Sequence, residues 1–126
     1  KTNLPTGNPM DAEVLREYCL AFPHATESLQ WGNHLVFKVG GKMFAILDLD
    51  NLGLSFPCSP DDFYSLTEQA NIIPAPYSAR YHWVLLQKLS ALPTFELQEY
   101  LQQAYTRTFS KLPEKVQAQL ITTTEQ

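Results

Sequence analysis

The residues with the most chemical potential lie together in Tyr77-Ser-Ala-Arg-Tyr-His-Trp83. Aromatic rings interleaved with a cation suit a nucleic-acid surface, because rings stack on bases while cations meet phosphates. Arg80 and Lys88 are the only charged residues between Gln69 and Phe95, so no carboxylate opposes them locally. Lys38 and Lys42 flank a Gly-Gly pair and extend such a surface if that turn folds nearby. The candidate nucleic-acid-binding set is therefore Lys38, Lys42, Tyr77, Arg80, His82 and Lys88. A purely structural reading of the same stretch puts Trp83 in the core. It has Tyr77 sealing a proline-rich loop and Arg80 paired with a carboxylate, in keeping with the burial of most aromatics. Between the two, Trp83 is expected in the core and Arg80 is the better functional candidate.

Other constellations carry less. His24, His34 and His82 lack the spacing of a zinc helix or knuckle, so a metal site would need His34 and His82 brought side by side from different strands. Asp48 and Asp50 could share a face and hold a cation, but carboxylates entering a turn explain them more simply. Trp31-Gly32-Asn33 reads as a turn whose tryptophan covers the edge of the core. No nucleophile elbow, phosphate loop or dinucleotide fingerprint occurs, and neither cysteine has a histidine near it in sequence. The expectation is a non-enzymatic protein with no metal and no cofactor.

Composition frames these residues. A chain of 126 residues, 44% hydrophobic and 17% charged, suits one globular domain with a real core. No apolar run reaches the ~20 residues of a membrane helix. Two cysteines far apart make no disulfide framework, so a reducing, cytoplasmic location is expected. A net charge of −4 weighs against strong nucleic-acid binding, which draws on neutralised phosphates, though a local basic patch can survive it. Residues 1–9 read as a disordered extension or expression remnant, residues 10–121 as a single domain, and residues 122–126 as a frayed tail.

The elements that must position these residues follow from periodicity. Val14, Leu15, Tyr18, Cys19 and Phe22 form a helical stripe over residues 11–21, with Asp11 as cap and Pro23 as stop. Residues 24–30 read as a polar connection. Residues 34–39 and 42–48, split by Gly40-Gly41, predict a hairpin. A two-residue loop pairs Val39 with Lys42, Phe37 with Phe44 and Leu35 with Ile46, and makes theirs the core face. His34, Val36, Lys38, Met43, Ala45 and Leu47 fall on the other face, and a one-residue slip reverses the assignment. Residues 52–56 predict a third strand, where Pro57 should end pairing unless the strand is an edge. Ser59-Pro60-Asp61-Asp62 starts a helix to about Ala70, with Phe63, Leu66 and Ala70 inward. Residues 71–79 read as an ordered loop, 82–87 as a central strand, and Thr94 as the cap of a helix to about Phe109. That helix buries Leu97, Leu101, Ala104 and Tyr105, and a short helix follows from Glu114 to about Ile121. The expected class is α+β in two layers, helices packed against an antiparallel sheet in the order α-β-β-β-α-β-α.

Three stretches in this order and spacing resemble one family. They are Phe-Lys-Val-Gly-Gly-Lys-Met-Phe-Ala (37–45), Cys58-Ser-Pro-Asp-Asp-Phe63 and Pro74-Ala-Pro-Tyr-Ser-Ala-Arg-Tyr-His-Trp83. Together they are similar to the MmcQ/YjbR-like proteins from about Met10 to Lys115. The resemblance implies a CyaY-like or secretion-chaperone-like fold and a DNA-binding role, weak and without sequence specificity. It supplies no catalytic residues. The sequence departs from the family pattern at Pro57, where many relatives carry lysine. The alternative partner is a protein chain, held on the sheet face or in a helix groove by a chaperone-like adaptor. A monomer or weak homodimer, away from the membrane, suits either role.

Overall fold

A computed structural model describes residues 10–125, so the extension expected over residues 1–9 lies outside the described residues. Helix α1 (Ala12–Leu20) starts where the Asp11 carboxylate accepts a 2.8 Å bond from the Val14 amide, and it buries Leu15 and Cys19. Strands β1 (Ala25–Gln30), β2 (His34–Val39), β3 (Lys42–Asp48) and β4 (Leu54–Pro57) follow as an antiparallel run. Next come α2 (Pro60–Thr67), β5 (Ile72–Pro74), β6 (Trp83–Leu86), α3 (Thr94–Ser110) and α4 (Glu114–Glu125). The sheet has six strands in the order β1-β2-β3-β4-β6-β5, and the architecture is the expected α+β.

Two strands lie where the sequence predicts connections. Residues 24–30 are mostly β1, and residues 71–79 contain β5. Both are edge strands. An edge strand is half covered at best, so Thr26, Glu27, Ser28 and Gln30 sit there without an apolar alternation to betray them. β1 turns into β2 through Trp31 and Gly32, at φ 51° and 83°, and pairs with it from Ala25↔Val39 to Gln30↔His34. Trp31 is 62% exposed and does not cover the core edge.

The β2–β3 hairpin forms on Gly40 and Gly41, at φ 58° and 82°, with Val39 opposite Lys42 as expected. Below that pair the register departs from expectation. A bulge at Phe37/Lys38 sets Phe37 opposite Ala45, Val36 opposite Ile46 and Leu35 opposite Leu47. Strict alternation would have sent Ala45 and Leu47 to the face opposite Phe44. One unpaired residue lets Phe44, Ala45 and Leu47 all enter the core and turns Ile46 to the far face.

The core fills the space between one sheet face and the helices. Phe37, Val39, Phe44, Ala45, Leu47, Leu54, Phe56, Val84 and Leu86 meet Leu15, Cys19, Phe63, Leu66, Leu97, Leu101 and Ala104. Phe44 sits at the centre of an aromatic group, with ring centroids 5.9 Å from Phe22 and 5.5 Å from Tyr105. Polar ties hold the same layer, as Tyr18 donates to the Gln98 carbonyl at 3.0 Å and Tyr105 to that of Pro23 at 2.6 Å.

Smaller expectations are also corrected. Pro57 is buried on an internal strand and pairs with Trp83 on the β6 side, while β3–β4 pairing stops at Ser55. The proline nitrogen faces β3 beyond that last pair, so its missing N–H costs no ladder bond. Helix α2 begins on Ser59, which accepts from the Asp62 amide at 3.1 Å, but ends at Thr67 and leaves Ala70 exposed. Pro93 rather than Thr94 is the residue before α3, and α4 runs on to Glu125 instead of ending near Ile121. Tyr105 is half-buried, and Thr108 takes the fully inward position one turn later.

Candidate nucleic-acid interface

Antiparallel order fixes which residues share an end of the sheet. β2 and β4 finish, and β3 and β6 begin, at the end that carries the Gly40-Gly41 turn. Lys38, Lys42, Tyr77, Arg80 and His82 therefore gather at this end, whereas Lys88 lies past the opposite end of β6. Five of the six sequence candidates are brought to one side, and Lys88 is excluded by the direction of β6.

Residues 75–83 form a tightly bonded loop. Ala75 donates to the Trp83 carbonyl at 2.9 Å, Ser78 to that of Ala75 at 3.2 Å, and Tyr81 to that of Ser78 at 3.0 Å. A 3-10 turn over Ala79–Tyr81 closes when His82 donates to the Ala79 carbonyl at 2.9 Å, and the Cys58 amide ties the His82 carbonyl to β4 at 3.0 Å. Tyr77 and His82 bracket the turn in the left-handed region, at φ 69° and 64°, an arrangement uncommon for residues with a side chain. The loop thereby holds Tyr77 fully exposed and Tyr81 61% exposed.

Arg80 does not pair with a carboxylate. Its guanidinium carbon lies 4.9 Å from the Tyr81 ring centroid, and the ion pairs among the described residues are Arg16–Glu27 and His34–Asp48. Tyr77 does not seal its loop, since its side chain stands free of it. Trp83 is not in the core either. It sits opposite Pro57, on the face of Ser55 and Leu85, while its neighbours Val84 and Leu86 take the core face. Trp83 is half-buried on that other face, where Val36 is fully buried. His82 packs edge-on against Phe63 at 5.4 Å, which fixes the ring beside the start of α2.

Sequence reasoning missed a second source of cations. Leu112, at the break between α3 and α4, packs on the hairpin tip so closely that a Cβ on Gly40 would lie 2.6 Å from its Cδ1. That contact brings the exposed Lys111 and Lys115, with Glu114 between them in sequence, to the sheet end that carries Lys42 and the half-buried Lys38. The only signal in the sequence was a leucine at a helix break between two lysines, which names no partner.

The remaining constellations resolve as structure. His34 and His82 lie at opposite ends of the sheet and make no common site. The Asp48 carboxylate accepts from the amides of Asp50 at 2.9 Å and Asn51 at 3.3 Å and from the Asn51 side chain at 3.1 Å. Slight burial opposes its ionisation, but those bonds and nearby His34 prevail and hold the carboxyl below its ordinary range. Burial pushes both the Cys19 and Cys58 thiols up to about 12, so both are protonated at neutral pH. A recess of about 320 Å³ is lined by Pro23, His24, Tyr105, Thr106, Phe109 and Ile121.

Residues 20–107 match the model of the YjbR family. The chain belongs to the YjbR family. Its fold is shared by protein DR2400 of Deinococcus radiodurans, described as a DUF419 domain, at a TM-score of 0.76 with 28% identity over 86% of each chain. A Pseudomonas syringae protein solved by structural genomics matches at a TM-score of 0.64 over 79% of this chain and 99% of that one. At 16% identity that likeness shows the fold alone. No curated protein matches the chain. Among the described residues, no helix of this YjbR protein is long and apolar enough to cross a membrane.

Proposed function

We propose that this YjbR-family protein binds DNA weakly, without sequence specificity and without catalysis, at the sheet end built from the 75–83 loop and the hairpin tip. The observation that carries the reading is Arg80, exposed and free of any carboxylate among the described residues, laid over an exposed Tyr81 on a hydrogen-bonded loop. A cation held on an aromatic ring is a contact surface for phosphate and base together. Lys38, Lys42, Lys111 and Lys115 widen the positive area, while the net charge of −4 limits overall affinity. Two buried, free cysteines suit a reducing cytoplasm as the site of action.

Replacing Lys38, Lys42, Lys111 and Lys115 together by alanine tests the site. The variant is expected to keep its fold and lose most of its affinity for a labelled DNA oligonucleotide at low salt. Affinity equal to that of the wild type would remove the hairpin end from the interface.

A protein-interaction role is favoured by one feature, the apolar recess beside Phe109 and the 51%-exposed Ile121. An apolar patch of that kind suits a partner side chain. Failure to bind DNA at low salt would make this the better reading.

A further inference from the structure

We infer that the preferred ligand is single-stranded rather than duplex DNA, an inference that rests on the DNA-binding reading above. The loop offers ring faces. Tyr77 is fully exposed, and no other ring packs against it among the described residues. Tyr81 gives one face to Arg80 and is 61% exposed, and Trp83 stands half-buried on the sheet face away from the core. In a duplex the base faces are occupied by neighbouring bases, so such rings gain nothing from it beyond phosphate contacts. An unpaired base can lie on each ring, and base–aromatic stacking is insensitive to sequence.

The bonding of the loop strengthens the case. Tyr77 and His82 hold positive φ values, and backbone bonds from Ala75 to Trp83 tie the loop to itself. Exposed aromatics on an ordered loop lose little freedom on binding. The charge pattern points the same way. Arg80 is the one charged residue of the loop itself, and stacking on the loop's rings adds affinity that needs no cation.

The test is a fluorescence anisotropy titration at low salt with one mixed-sequence oligodeoxynucleotide, used single-stranded and annealed to its complement. The single strand is expected to bind about ten-fold more tightly, the worth of one stacked base. Tyr77→Ala should abolish most of that preference, and Tyr77→Phe, which keeps the ring, should restore it. Equal or tighter duplex binding, or a Tyr77→Ala loss shared equally by both forms, overturns the single-strand inference and leaves DNA binding standing. Binding of neither form overturns both.

Discussion

The Arg80 guanidinium rests on the ring of Tyr81, 4.9 Å from its centroid, rather than on a carboxylate. An exposed cation in that position contributes little to folding, because water solvates it as well in the unfolded chain. Arg80→Ala should therefore leave the thermal midpoint nearly unchanged. It should weaken DNA binding and lower the salt slope by about 0.7–0.9, the release from one phosphate contact. A large drop in the midpoint with an unchanged slope would make Arg80 a structural strut.

Trp83 and Phe37 separate the two faces of the sheet. Phe37 is wholly buried in the core, so Phe37→Ala should cost about 3–5 kcal/mol. Trp83 lies half-buried on the far face, and Trp83→Ala should cost clearly less than the Phe37 change. Chemical denaturation of both variants checks the order. A Trp83 cost equal to that of Phe37 would return the ring to the core.

How much of this was legible in the sequence depended on where pairing is decided. The Gly40-Gly41 hairpin, the Ser59-Pro60 helix start and the long α3 are written locally, in turn chemistry and periodicity. β1 and β5 are not, because an edge strand is stabilised by its partner rather than by its own apolar pattern. The face taken by Trp83 was undetermined for a related reason. β6 is apolar at Trp83, Val84, Leu85 and Leu86, and only pairing with β4 chooses the inward pair. The bulge before Lys38 likewise answers to the packing of Phe44 and Ala45. At the site, Arg80 and the hairpin lysines were found from residue type and spacing. Lys111 and Lys115 were not, since only the contact between Leu112 and Gly40 brings them there.

That contact yields a comparison between adjacent glycines. Both take positive φ, where a side chain costs roughly 1–2 kcal/mol. A Cβ on Gly41 would meet open space, whereas one on Gly40 would press into Leu112. Gly40→Ala should destabilise more than Gly41→Ala in thermal melts. It should also loosen the α3–α4 corner, seen as faster amide exchange around Leu112. Equal costs would mean that Leu112 yields without penalty.

Cys19 and Cys58 should resist alkylation in the folded protein. With both thiols buried and pushed up to about 12, almost no thiolate exists at pH 8. Iodoacetamide treatment followed by intact mass measurement should show unmodified protein, and full labelling once denaturant is added. Rapid native labelling of Cys58 would mean that the anchor between β4 and the 75–83 loop opens readily.

The salt dependence of DNA binding by the wild-type protein tests the central claim most directly. Titrations at increasing salt should show weak, saturable binding at the lowest concentration. Affinity should then fall linearly on logarithmic axes, with a slope of only a few units because few cations face the ligand. Absence of binding at the lowest salt, or affinity that ignores salt, would contradict it.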